Sequence, residues 1–357
     1  MRTRILTTLT LCGLAVAPLA EATASDWNAA IGQAIMDRST DRNAALDYWR
    51  LVTVTPEVEA SAAQVREVLA AMHPQAEAQA LAEPEALLPG GSLGGTLEEL
   101  DEFFVDLDRA AMGPRCDFQV RYEDGYAALL PHLEPLRRLG RLLVVDARRQ
   151  ALLGDTQRAA ERLATALRLA RHVSGDRILV SSLVSASIAN SAIAEAHWLL
   201  DRSQDDVAAR EVLQPALARY PVGDPFRAQE ALRTERDLIS SLARQFRGPH
   251  AGAEFADVFM QMTDEGEAAE ARLVRALDGR GFKAEIERTV DLFDAVFEAW
   301  IDIDPQRSLA GIGERVASGD FGPVARIVVP AFGRTQLLDA RARDRVEGLR
   351  QRVNDNG

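Results

Sequence analysis

The sequence predicts an all-α protein whose antiparallel helical hairpins pack as a bundle or a short array. Three observations carry this expectation. Apolar residues recur at three- and four-residue steps along most of the chain, Gly-Asp and Gly-Pro turns separate the periodic segments, and strand-like patches are scarce. The two β-branched patches, Val52-Thr53-Val54-Thr55 and Arg326-Ile327-Val328-Val329, are short and each ends at a proline.

The N-terminal residues read as a targeting segment. Arg2 and Arg4 precede an apolar stretch from Ile5 to Leu19, and Ala22-Thr23-Ala24 supplies a small-x-small cleavage pattern, so cleavage is expected between Ala24 and Ser25. The expectation is an exported chain, periplasmic or extracellular, with no transmembrane segment after cleavage. A lipid-anchored form is disfavoured, because Leu11 precedes Cys12 where a small residue is needed. Removing Arg2, Arg4 and Glu21 takes the formal charge from −13 to −14 and leaves 333 residues (357 − 24). An acidic chain makes a poor nonspecific binder of nucleic acid, so nucleic acid is not an expected partner. After cleavage only Cys116 remains, and the fold must be held by packing without an internal disulfide.

Four segments follow from the pattern: a signal peptide over 1–24, an N-terminal helical segment over 25–88, a Gly-rich linker over 89–96, and a main α-helical domain over 97–357. Helices are expected over 28–36 and 42–54, with Trp27, Ile31, Ile35, Leu46, Trp49 and Leu51 as apolar anchors, and over 57–72, begun after Pro56. The linker reads Pro89-Gly90-Gly91-Ser92-Leu93-Gly94-Gly95. Charge is concentrated around it: Glu57 to Asp108 carries twelve acids and one base, Arg66, a net of −11. The bland account is a solvated face, and the sharper one a docking surface for a cationic partner or divalent ions. Asp101, Glu102, Asp106 and Asp108 are its densest group, without the ligand spacing and glycine of a calcium loop.

The central body is the most regular. Leu133, Leu136, Leu139, Leu143 and Ala147 mark a helix from about Pro131 to Leu153. Gly154-Asp155 turns the chain, with Asp155 suited to cap the next helix, where Ala159, Leu163, Ala166 and Ala170 share a face. So short a turn forces an antiparallel hairpin. Residues 178–194 carry no charge and are expected as a buried central helix. Ser203 and Asp206 then form a capping pair before a helix running to Arg219. Ala228 to Phe246 forms the next amphipathic helix, residues 253–278 another, and Ile286, Val290, Phe293, Phe297, Trp300 and Ile301 the cleanest stripe. A loop is expected from Gly311 to Pro330 before a final helix through Leu338, Ala342, Val346, Leu349 and Val353.

Leu143, Ala147, Gly154, Ala159, Leu163 and Ala166 fall at the spacing of a tetratricopeptide-type hairpin, which the segment 143–171 resembles. The resemblance implies helical-hairpin architecture and an extended surface for peptide binding. The chain departs from the pattern at Asp146, Gln150 and Arg171, which stands where that family prefers proline, and no tandem copy follows at a period of 34 residues. As a whole the chain also resembles exported helical proteins of Ala- and Arg-rich bacterial proteomes.

Catalytic signatures are missing from the sequence. The five histidines lack the two-histidine spacing of zinc proteases, and neither a Gly-x-Ser-x-Gly elbow nor a phosphate-binding glycine pattern occurs, so no cofactor or metal is assigned. What stands out is a set of acids on apolar faces: Asp146, Glu195 with the neighbouring His197, and Glu235. A carboxylate buried there must be paired or protonated. An internal network with the abundant arginines is favoured over a shared pocket. Cys116 reads as a small buried residue, with a nucleophile, if His132 lies beside it, or an intermolecular crosslink as the alternatives. The Arg334–Arg352 stretch, with six arginines against three acids, docks on the acidic body or is a solvated helix with an apolar underside, in preference to lying on an anionic membrane. The expected function is a non-enzymatic helical-hairpin protein of the cell envelope that binds a protein or peptide partner. The alternatives are an enzyme using the buried carboxylates or Cys116, and a purely structural accessory subunit.

Overall fold

The structure, a computed structural model, describes residues 43–53, 60–122, 130–202, 207–260, 268–301, 305–328 and 332–354. The expected signal peptide, the helix over 28–36 and the Ser203–Asp206 capping pair lie outside these residues. Among the described residues the chain is all-α and has no strand; its one β-bridge pairs Asn43 with Arg115. The helices pack against their neighbours in antiparallel pairs.

Five helices come first: α1 (Ala44–Thr53), α2 (Ala60–Ala71), α3 (Pro74–Ala82), α4 (Gly94–Glu99) and α5 (Asp101–Ala111). The central body follows as α6 (Leu133–Leu152), α7 (Thr156–Val173), α8 (Leu179–Arg202) and α9 (Val207–Ala218). The remainder is α10 (Ala228–Gln245), α11 (Ala251–Met260), α12 (Ala268–Arg275), α13 (Gly279–Trp300), α14 (Pro305–Ser318), α15 (Gly322–Val328) and α16 (Phe332–Asn354).

The α6–α7 hairpin forms as its turn dictates. Gly154 adopts φ +88, open to glycine at no steric cost, and the Asp155 carboxylate accepts the amide of Arg158 at 2.9 Å to cap α7. Leu136, Leu139, Leu143, Leu163, Ala166 and Ala170 are then buried between α6, α7 and their neighbours. Helix α8 lies across both. It is long and apolar enough to span a membrane, and most of its apolar window is buried against other helices. Close approach depends on small residues: a Cβ at Gly140 of α6 would stand 2.7 Å from Ile188 of α8, and Ser185 of α8 donates to the Ala170 carbonyl of α7 at 2.6 Å.

Two apolar cores result. The first gathers α1 through α9 together with Ala342, Val346, Leu349 and Val353 of α16. The second gathers α10 through α15 and meets the first at Leu179, the first residue of α8. Residues on both sides of the Gly-rich stretch, Val68 and Leu69 before it and Leu97 and Leu100 after it, belong to the first core. Within that stretch Gly94 already opens α4, pressed so close to the Leu88 carbonyl that a Cβ would lie 2.1 Å from it.

Three expectations are corrected. The loop expected from Gly311 to Pro330 is in fact the end of α14 and all of α15 up to Val328. The helical signal was present: Leu309, Ile312 and Val316 step by three and four along the second core, while Gly311 and Gly313 face open space and disguised it. For the same reason Arg326-Ile327-Val328, β-branched as it is, lies in a helix, with Val324 and Ala325 buried. Ile301 does not continue the buried stripe; α13 ends at Trp300, and Ile301 is 58% exposed. The continuous helix expected over 253–278 is described as α11 and α12, with 261–267 outside the described residues.

Candidate functional site

The acids singled out from sequence occupy separate ionic arrangements. Asp146 of α6 is fully buried and accepts from Arg162 Nε of α7 at 2.7 Å, with Gln150 Nε2 at 3.3 Å and Arg149 Nη1 at 3.5 Å. Glu195 of α8 is gripped in bidentate fashion by Arg148 of α6, at 2.5 and 2.6 Å, and the same guanidinium lies over the Trp198 ring at 3.6 Å. Burial pushes the Glu195 carboxyl up, and Arg148 opposes that shift. Glu235 of α10 accepts the amide of Leu179 at 3.2 Å and so caps α8 while joining the two cores. His197 meets Arg352 of α16 at 3.2 Å; burial and that cation lower its pKa. Each group thus has its own partner, and none of the four lines the clefts described below.

Of the dense acids of α5, Asp101 and Asp108 pair with arginines of α7, while Glu102 and Asp106 are exposed and Asp106 pairs with Arg109 of its own helix. Asp101 faces Arg158 at 3.5 Å, and Asp108 accepts from Thr165 at 2.6 Å and from Arg168 at 3.3 Å. The basic C-terminal helix docks on the body: Arg350 donates to the carbonyls of Leu217 and Tyr220, and Arg352 pairs with Asp201 at 2.6 Å. Among the described residues no group of three His, Cys, Asp or Glu side chains is placed to hold a metal ion.

The structure assembles a different site, a cleft of about 540 Å³ at the junction of the two cores. One wall is the segment from Pro114 to Tyr122, the opposite wall the end of α7 with Gly175, Asp176 and Arg177, and Arg227 and Thr234 close it from α10. The first wall is fixed at its root by Asn43, whose side chain donates to the Asp117 carbonyl and accepts the Asp117 amide, both at 2.9 Å. Phe118 anchors it further, stacked on His132 with ring centroids 4.1 Å apart and packed against Tyr48 and Trp49. His132 in turn bonds Asp176 at 2.7 Å, and Ser181 donates to the same carboxylate at 2.8 Å. Tyr122 donates to the Asp176 carbonyl at 2.5 Å, tying the two walls together.

The geometry does not equip the cleft for nucleophilic chemistry. Ser181 and His132 both bond Asp176, so no histidine stands ready to take the serine proton. Burial, with Asp176 and Asp117 adding to it, pushes the Cys116 thiol well up, away from the thiolate form a nucleophile needs. His132, the base expected for it, is committed to Asp176. His172 is committed as well: Tyr48 donates to Nδ1 at 2.9 Å, and Nε2–H donates to the Gly113 carbonyl at 3.0 Å. Burial, aided by the Arg171 cation, lowers His172 to about 4, which matches this neutral tautomer.

What the cleft does offer is cationic. Arg115, Arg171, Arg177 and Arg227 line it, against Asp117 and Asp176. Arg115 pairs with Asp117 at 3.0 Å, and Arg177 and Arg227 share one carboxylate, Glu230, at 3.2 and 3.7 Å. Arg171 has no carboxylate partner among the described residues, and its Nε is buried without a hydrogen bond. Desolvation and the neighbouring Arg219 and Arg227 cations lower its pKa, so its charge sits in an unfavourable field. Arg177 and Arg227 are also left-handed, at φ 55 and 54, as is Gln119 at φ 57 in the opposite wall. These are the only non-glycine residues at positive φ among those described, and each such backbone costs roughly 1–3 kcal/mol. The Asp224 carboxylate fixes the second of them by accepting the amides of Ala228 and Gln229 at 2.8 and 3.2 Å.

Sequence reasoning missed this site because its residues come from three distant segments and its arginines are hidden among forty. One signal was visible: Arg171 departs from the hairpin pattern where proline is usual. A second cleft, of about 590 Å³, lies between α10 and α13 and is lined by Arg244, Arg247, Lys283, Glu287 and Asp291, with Lys283 and Glu287 paired at 3.6 Å. No protein-family model, curated protein or solved structure significantly matches the chain.

Proposed function

We propose that the chain is an exported protein of the cell envelope that acts by binding, taking a segment of a protein or peptide partner into the cleft between Pro114–Tyr122 and Arg171–Arg177. One observation carries this reading above the others. The cleft presents an arginine with an unused donor, Arg171 Nε, beside apolar groups, Val120 and Pro114, while the Cys116 thiol and the His172 imidazole are held in unreactive forms. Binding sites combine an apolar lining with a few placed polar groups in this way. The hairpin body supports it by holding both walls on packed helices, since α7 supplies one and α1 roots the other.

A photo-crosslinking residue at Val120 tests the proposal, with the same residue at Val222, which is 87% exposed and not part of the cleft lining, as control. On envelope extract, discrete adducts from position 120 that are absent from 222 and are lost when Thr234→Tyr fills the cleft are expected. Identical adducts from both positions, or none from 120, contradict the proposal.

A further inference from the structure

We infer that the group the cleft recognises is a carboxylate of an acidic peptide, seated on Arg171 and flanked by Arg177 and Arg227; this rests on the binding role just proposed. Two independent features point to an anion. Arg171 is the one cleft cation with no counterion among the described residues, and its Nε lies buried and unbonded. The cations nearest it, Arg219 and Arg227, repel it, so an arriving negative charge relieves three like charges at once. The second feature is geometric. The left-handed backbones of Arg177 and Arg227 place two more guanidiniums on the same opening, and both lean on a single shared Glu230. Three arginines against two carboxylates, Glu230 and Asp176, leave an excess of one positive charge on this wall of an otherwise acidic chain.

The planar fork of arginine matches a carboxylate with two parallel hydrogen bonds. Phosphate shares that chemistry, and the rest of the lining selects between them. Asp117 stands in the opposite wall and Asp176 beside the arginines, a poor setting for a dianion, whereas Val120, Pro114 and the Tyr122 ring give the neighbouring residues of a peptide an apolar surface. The cleft volume accommodates a side chain with its flanking backbone rather than a small ion alone.

The test uses the mature chain and three probes: an end-blocked triglutamate peptide, its triglutamine counterpart and inorganic phosphate, each titrated calorimetrically at two salt concentrations. The account expects the triglutamate peptide to bind and to weaken as salt rises. It expects triglutamine and phosphate to bind at least about tenfold more weakly, and Arg171→Gln to cost triglutamate roughly ten- to a hundredfold. Arg177→Gln gives a second reading should Arg171→Gln fold poorly by circular dichroism, and Arg158→Gln, outside the cleft, leaves binding unchanged. Equal binding of triglutamate and triglutamine, tighter binding of phosphate, or indifference to both cleft substitutions overturns the inference. If no probe binds while the Val120 crosslink still captures a partner, the anionic inference fails and the binding role stands; loss of the crosslink removes the role itself.

Discussion

Asp146→Asn is expected to destabilise the protein by about 3–5 kcal/mol, enough to unfold a chain of ordinary stability. The side chain is fully buried, and its ionised oxygens take hydrogen bonds or ion pairs from Arg162, Arg149 and Gln150. Arg162 and Arg149 are themselves buried, and each already has one unsatisfied nitrogen, Nη2 in the first and Nε in the second. Removing the negative charge strands two guanidiniums in the core. Their remaining partners, Asp101 at 4.0 Å and Glu98 at 3.8 Å, lie at the limit of an ion pair. Replacing charge and counter-charges together, as Asp146→Leu with Arg162→Met and Arg149→Met, should recover most of the loss, because apolar packing substitutes well for a buried ionic group. Breaking the exposed Lys283–Glu287 pair should change stability by less than about 1 kcal/mol. Urea unfolding followed by circular dichroism reads all three; a loss at Asp146 no larger than that at Lys283 would show that the α6–α7 hairpin does not depend on this network.

The second large effect has the opposite sign and a pH signature. Asp339 of α16 is buried at the end of α13, where the Trp300 indole faces it and Oδ1 makes no hydrogen bond. Burial pushes its carboxyl up to about 6, and Asp224 adds to the shift, while Arg343 at 3.2 Å only partly offsets it. The folded protein therefore holds this proton more tightly than the unfolded chain, whose value is 3.8. The stabilisation from the protonated form is complete below about pH 4 and is lost as the pH rises through about 6. At pH 8 the ionised group costs up to about 3 kcal/mol, since each tenfold change in proton affinity is worth about 1.4 kcal/mol. Asp339→Asn should raise the melting temperature at pH 8 and leave it unchanged near pH 3.5. A loss of stability at pH 8 would mean that the Arg343 pair outweighs burial.

These two acids show how much of the molecule was legible in sequence. The α6–α7 hairpin was readable because its signals are local: apolar steps of three and four, then a glycine and a capping aspartate. Asp146 stood out for the same reason, as a charge inside an apolar face. Its partner was not readable, because Arg162 is one of many arginines and only the antiparallel turn brings it 2.7 Å from the carboxylate. The cleft was less legible still. Its walls are brought together by contacts that join residues 43 to 117, 122 to 176 and 132 to 176, none of which leaves a periodic trace. Helices α14 and α15 were masked by glycines whose conformational cost is met by burial of Ile312, Val316 and Val324 in the second core.

Hydrogen–deuterium exchange of the mature chain with and without the triglutamate peptide tests the central claim, that the Arg171 cleft is where a partner binds. Slower exchange confined to 113–122 and 171–178, with the α10–α13 cleft unchanged, is the result this account predicts. Protection centred on Arg244, Arg247 and Lys283, or none at residues 113–122, would contradict it.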